Sequence, residues 1–139
     1  MSPSRSIRIE TGARLHFGLL DTSPPFGGLG VMIDEPGTIL EFKPSEALQC
    51  DPSIRHRATP IAERVAQRGS LADLPAISIR QCAATPEHCG FGSGTQLCLA
   101  IAEGLLRSTS LEIGDETIAV EIAGRGKRSA IGVHGYFHG

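Results

Sequence analysis

No apolar run in the chain approaches the roughly 20 residues that a bilayer-spanning helix needs, and the opening MSPSRSIRIE lacks the apolar core of a secretion signal. Both absences point to a cytoplasmic protein with no membrane partner. Positive charge is not in excess either: 13 Lys and Arg stand against 15 Asp and Glu, a formal net charge of −2. No global field therefore recruits nucleic acid, and any anion site must be local. Cysteines are few and irregularly spaced, at Cys50, Cys82, Cys89 and Cys98. Without an export signal, free thiols packed as small hydrophobes are expected rather than disulfides. A zinc set drawn from Cys82, Cys89, His134 and His138 lacks the short paired cysteine spacing of structural zinc sites, so no metal site is expected. Internal repeats, heptads and low-complexity tracts are absent as well.

What is present fits one domain. The 139 residues, 40 % hydrophobic and 20 % charged, suffice for one compact core and are too few for two ordinary domains. Glycines gather at Gly27, Gly28 and Gly30, at Gly90, Gly92 and Gly94, and at Gly124 and Gly126, each cluster reading as a loop. The polar stretch from Pro44 to Thr59 reads as a long surface connection.

Alternation of apolar and polar residues predicts strands through Ile7 and Ile9, through Leu15, Phe17 and Leu19, through Leu40 and Phe42, and through Ile77 and Ile79. The period of two sets Arg14 and His16 together on the face opposite Leu15 and Phe17. A first helix should start with Thr59 as cap and Pro60 in the first position, bury Ile61, Ala62, Val65 and Ala66, and stop at Gly69. A second, largely buried, should run from about Gly94 to Arg107, with Glu103 and Arg107 four apart on its polar edge. Asp115 to Ala123 suits a third helix capped by Asp115, although Thr117, Ile118 and Val120 also suit a strand. The sum is an α+β fold, a mixed sheet of the early strands and Ile77 to Gln81 packed by helices.

The stretch most telling for chemistry is PEHCGFGSGTQLCLAIAEGL, Pro86 to Leu105. Gly90, Gly92 and Gly94 allow close approach of backbone to a ligand, and the following helix turns free N–H groups and about half a positive charge towards that loop. Ser93 and Thr95 add hydroxyls, and no acid lies between His88 and Gln96. Phosphate is the natural guest, the plainer reading being a glycine turn that packs a helix onto a sheet. The G-x-G-x-G spacing matches neither a P-loop nor a Rossmann fingerprint. Arg125, Lys127 and Arg128, beside Ser129, form a cationic run with no acid as far as His138. By composition alone it is equally a solvated turn. Arg14 is a candidate anion ligand, and His16 either shuttles a proton or is a hydrogen-bonded histidine near a sheet edge. Phe26 to Gly30 reads as pocket lining or as an ordinary turn.

The segment from Pro86 to Thr95 resembles the second motif of the GHMP kinase superfamily, P-x-x-x-G-L-G-S-S-A. Phe91 stands for its Leu, and Gly94-Thr95-Gln96-Leu97 replaces the Ser-Ala pair. That replacement is similar to one branch, the β-ribofuranosylaminobenzene 5′-phosphate synthase family. The same branch is suggested by ARLHFGLLD at Ala13 to Asp21, GGLGVMID at Gly27 to Asp34 and GRGKRSAIGVHGYFHG at Gly124 to Gly139.

The resemblance implies the amino-terminal GHMP domain over residues 1–139. It also implies a transferase that joins phosphoribosyl pyrophosphate to 4-aminobenzoate or a close analogue, releasing carbon dioxide and pyrophosphate, a step of methanopterin biosynthesis. On that reading Arg14 and His16 are catalytic, and Gly90, Gly92, Ser93, Gly94 and Thr95 hold phosphate. His88, Arg125, Lys127, Arg128 and Ser129 then bind substrate, and Mg²⁺ accompanies the diphosphate. Kinases of the superfamily place an Asp soon after a Ser-Gly-Ile segment, where Ser129-Ala130-Ile131-Gly132 has glycine. A small-molecule kinase is therefore the second reading and a non-catalytic anion-binding module the third. Family members are longer and carry a second α/β domain, so the resemblance further implies a shortened chain, ending in or before a strand. Such a chain is expected to be poorly active alone and open to self-association through an exposed surface.

Overall fold

The computed structural model describes residues 5–19, 28–35, 37–85, 93–124 and 136–138, with positions 14–19, 28–30 and 116 described through their backbone. Four strands form one mixed sheet: β1 (Ile7–Glu10), β4 (Ile39–Pro44), β6 (Ile77–Ala83) and β5 (Gln49–Cys50), in the spatial order β1-β4-β6-β5. The β1/β4 and β4/β6 pairs are antiparallel, and β5 joins β6 in parallel. The alternation read from sequence is realised in burial: Ile9, Leu40, Phe42, Ile77 and Ile79 are buried in one core.

The early strands do not all enter that sheet, a correction to the expected architecture. β2 (Ala13–Leu19) pairs antiparallel with β3 (Gly28–Ile33) in a separate two-stranded ladder. The break falls at Thr11 and Gly12, where the Thr11 N–H makes the last bond to the main sheet, to the Thr38 carbonyl at 2.9 Å, before Ala13 pairs with Ile33. Gly28 and Gly30, expected in a loop, are strand residues opposite Leu19 and His16. The ladder shifts register between His16 and Gly18. Strict alternation therefore stops at Phe17, as a bulge requires.

Helix α1 spans Arg55–Arg68, so it begins well before Thr59, and Pro60 lies inside it. Its apolar stripe is longer than the one read from sequence, because buried Ile54 and Ala58 precede Ile61, Ala62, Val65 and Ala66 at helical spacing. Burying that extra turn outweighs the single bond to the His56 carbonyl that Pro60 cannot donate. The supposed linker from Pro44 consequently holds β5 and the first turn of α1. The helix closes at Gly69, but the left-handed position is the next one, Ser70, with φ 52°. A Cβ at 69 would lie 2.8 Å from Leu111 Cδ1, the tip of a flexible side chain that would have to turn aside.

Helix α2 spans Ser93–Ser108 and crosses β1 and β4, with α1 packed along its flank. Leu99, Ala100, Ile101, Ala102 and Leu105 are wholly buried in it. Gly104 lets it settle onto the sheet, because a Cβ at that position would run into the Phe42 ring.

Asp115–Thr117 is a short helix (α3) that continues as one π-helical turn, Ile118–Ile122, closed by the Ala123 N–H to the Ile118 carbonyl at 2.8 Å. Asp115 is not its cap. Gly114 holds that position, and its carbonyl receives the Ile118 N–H. The cysteines divide: Cys98 is buried and Cys50 half-buried, but Cys82 is exposed on β6, contrary to the expectation of buried thiols, because its position faces away from the core. Cys89 lies outside the described residues. Residues 136–138 form a helical turn. Among the described residues no helix is long and apolar enough to cross a membrane, and no cluster of His, Cys, Asp or Glu could hold a metal.

Candidate functional site

Ser93, at the start of α2, faces the beginning of β4 and the end of β6. Thr38, Ser53, Gln81 and Thr85, with the apolar Ile54, Ala84 and Leu97, join it around a cavity of about 170 Å³. The Thr38 and Thr85 hydroxyls, both buried, lie 3.3 Å apart. Ser53, in the turn that leads into α1, donates to Gln81 Oε1 at 3.4 Å. The Asp51 carboxylate is taken up by the Gln81 backbone N–H at 2.7 Å and does not line the cavity. Thus a mixed lining of hydroxyls, an amide and apolar side chains adjoins the end of a 16-residue helix whose first turn contains no acid. The helix dipole places about half a positive charge there with nothing negative in that turn to offset it.

The structure brings some of the expected site residues into this setting. Ser93, Gly94 and Thr95 form the first turn of α2, with Thr95 buried at 3 % exposure beneath Ser93 and Gly94, which are half-buried. Arg14 and His16 are both in β2, paired with Met32 and Gly30. Gly90, Gly92 and His88, and likewise Arg125, Lys127, Arg128 and Ser129, lie outside the described residues.

Sequence reasoning missed the hydroxyl lining. Thr85 stands immediately before Pro86, the first residue of the glycine-rich stretch, and Thr38 is one residue before β4. Threonine at a strand end carries no periodic signal; only the fold makes these two neighbours. It also missed Arg64, whose Nη1 donates to the Ile122 carbonyl at 2.8 Å and ties α1 to the π-helical turn just ahead of the cationic run.

At the other end of α2 the chemistry is charged. Arg107 Nη2 lies 2.5 Å from Glu103 Oε1, as the four-residue spacing predicted, and the Tyr136 hydroxyl donates to Glu103 Oε2. Burial of the ring, then its hydrogen bond to and proximity of Glu103, hold the Tyr136 phenol pKa well above its ordinary value, with Arg107 opposing. These three residues border a larger cavity, about 430 Å³, that also runs along β1.

The fold places the chain in a known class. A mevalonate kinase from Methanococcus jannaschii superposes with a TM-score of 0.62 over 90 % of this chain and 50 % of that one, at 13 % identity. The α+β arrangement is that of the amino-terminal domain of GHMP kinases. Sequence narrows this further. A β-ribofuranosylphenol 5′-phosphate synthase from Archaeoglobus fulgidus is 33 % identical over 140 aligned positions, covering 96 % of this chain and 43 % of the relative. The synthase of the same name from Methanocaldococcus jannaschii is 30 % identical over 94 % of this chain and 44 % of its own. Over most of its length the chain belongs to the β-ribofuranosylaminobenzene 5′-phosphate synthase family of the GHMP kinase superfamily. It spans less than half the length of those relatives. No family model matches it.

Proposed function

We propose that the chain forms the phosphate-binding half of a phosphoribosyltransferase. The enzyme would join C1 of phosphoribosyl pyrophosphate to a ring carbon of a para-substituted benzoate. The bond from C1 to the pyrophosphate oxygen breaks and its electron pair leaves with pyrophosphate. The new bond forms at the ring carbon bearing the carboxylate, which departs as carbon dioxide and returns its electron pair to the ring. The acceptor is 4-aminobenzoate or its 4-hydroxy analogue; the phenol in the relatives' names favours the latter. Mg²⁺ enters with the diphosphate, as part of the substrate.

The observation that carries this reading is the acid-free first turn of α2 opening beside the hydroxyl-lined cavity. The positive end of the α2 dipole and the Ser93 hydroxyl favour a phosphate there, and they stabilise charge as it gathers on a departing diphosphate. Arg14 serves as an anion ligand and His16 as the group that moves a proton. Arg125, Lys127, Arg128, Ser129 and His88 complete the substrate contacts. The kinase reading is weaker because Gly132 stands where the kinases' proton acceptor belongs.

Calorimetry with phosphoribosyl pyrophosphate and with ATP tests the assignment. Phosphoribosyl pyrophosphate should bind more tightly, and Ser93→Ala should weaken it roughly ten- to hundredfold, the effect of one lost hydrogen bond to a charged group. Preference for ATP would move the chain to the kinases, and unchanged binding in Ser93→Ala and in Gly92→Val would remove this loop and helix from the site.

A further inference from the structure

The larger cavity lies on a strand edge. β1 is the outermost strand of its sheet, bonded to β4 on one side, and among the described residues no strand pairs with its other side. The phase of its hydrogen bonds follows from Thr11, whose N–H points to Thr38 of the neighbouring strand. In an antiparallel ladder alternate residues turn both backbone groups the same way. Ile7 and Ile9, in register with Phe42 and Leu40, therefore face β4, whereas Arg8 and Glu10 turn their N–H and C=O groups outward. The cavity of about 430 Å³ follows this outward edge, with Gln96, Glu103 and Arg107 of α2 and the Tyr136 ring bordering it. A slot beside a row of strand amides that no described strand engages is shaped to receive another extended segment.

We propose that β1 of a second copy of this chain fills the slot, antiparallel and centred on Ile9. That register sets Arg8 of each copy opposite Glu10 of the other. Both residues are outward-facing, so both pairs exchange full sets of N–H···O bonds, with Ile9 opposite Ile9 between them. Opposite charges then also meet across the new ladder. In the single chain Arg8 Nε is bonded to Glu10 Oε1 at 2.7 Å with both side chains more than half exposed, so the exchange forfeits little. The hydrogen-bond phase allows registers two residues away, but these put Arg8 opposite Arg8 or Glu10 opposite Glu10, and like charges directly opposite are unfavourable. Charge and hydrogen-bond phase thus select a single symmetric pairing, an isologous contact of the kind twofold dimers use.

Analytical ultracentrifugation of the 139-residue chain tests this. The wild type should associate reversibly to a dimer. Arg8→Glu and Glu10→Arg, each of which opposes like charges twice, should weaken the dimer roughly tenfold, and the double reversal Arg8→Glu/Glu10→Arg should restore it. Thermal midpoints of the variants establish that each is folded. Amide exchange read residue by residue should show Arg8 and Glu10 becoming protected as concentration rises. A monomer at every concentration overturns the proposal, including one that accepts an added extended peptide at β1. So does a dimer indifferent to the single reversals, one that the double reversal fails to restore, or one that leaves the amides of Arg8 and Glu10 exchanging freely.

Discussion

At its first turn α2 meets the hydroxyls of Thr38, Ser53 and Thr85 and no acid, whereas towards its last turn Glu103, Arg107 and Tyr136 gather two opposite charges and a phenol. The contrast follows the helix dipole. Near the C-terminus, where the dipole is negative, Arg107 offsets it and is held by Glu103, so that end is electrostatically closed. The first turn has no acid to offset the positive end of the dipole. A buried helix can thus carry a charge-compensated end and an uncompensated one, provided its middle is rigid enough to fix both. The 12 buried residues of α2, from Thr95 to Ser108, seat it against the sheet, α1 and the π-helical turn.

The strongest way to break the comparison is therefore to disturb the part both ends share. Gly104→Ala drives a methyl group into the Phe42 ring. Overpacking of this kind costs about 1–3 kcal/mol, and alanine's helix preference over glycine returns up to about 1 kcal/mol. The expected net loss of roughly 1–2 kcal/mol lowers the thermal midpoint by several degrees. Gly104→Ala/Phe42→Leu should recover part of it. A midpoint equal to the wild type's would mean that α2 does not seat on β4 through this contact.

A second experiment addresses the hydroxyl end alone. Thr38→Val or Thr85→Val removes one member of a buried pair and leaves the other with fewer partners, which should cost about 1 kcal/mol in urea unfolding. The double variant should cost less than the sum, and a coupling of about 0.5 kcal/mol or more identifies the pair as a unit. Strict additivity would show that the two hydroxyls act separately.

Those two threonines also mark where legibility in the sequence stops. The strands through Ile7, Leu40 and Ile77 and the buried helix through Leu97 to Leu106 were all readable, because each carries its period over several residues and burial on one face enforces that period. The Glu103–Arg107 pair was readable for the same reason, being local to one helix. Pairing between strands was not, since Ile9, Leu15 and Leu40 alternate alike and nothing local says that β2 leaves the sheet while β1 stays. The start of α1 was misread because Pro60 is a strong local signal for a first turn, and the competing one, Ile54 and Ala58 completing a buried stripe, has force only once α2 is beside it. Of the candidate site, Ser93, Gly94 and Thr95 were legible as a helix entrance. Thr38, Ser53 and Thr85 were not, because their proximity is created by three separate crossings of the chain.

The smallest effect, and the cleanest reading of the charged end, comes from Tyr136. It is the only tyrosine, in a chain without tryptophan, so the ultraviolet absorbance change of tyrosinate reports this residue alone. An ordinary phenol titrates near pH 10, but burial and the bond to Glu103 raise the pKa of this one in the folded chain. The raised value favours the folded state with the full effect below pH 10. As pH rises beyond 10 the unfolded chain ionises first, and the advantage is progressively lost. Native protein should therefore show no tyrosinate signal at pH 10–10.5, where the urea-unfolded chain shows about half or more of its own. Tyr136→Phe should be less stable than wild type by about 1 kcal/mol at pH 8, with the gap closing above pH 10. A phenol that titrates near pH 10 in the folded chain would detach Tyr136 from Glu103, and with it the wall that this residue gives to the slot along β1.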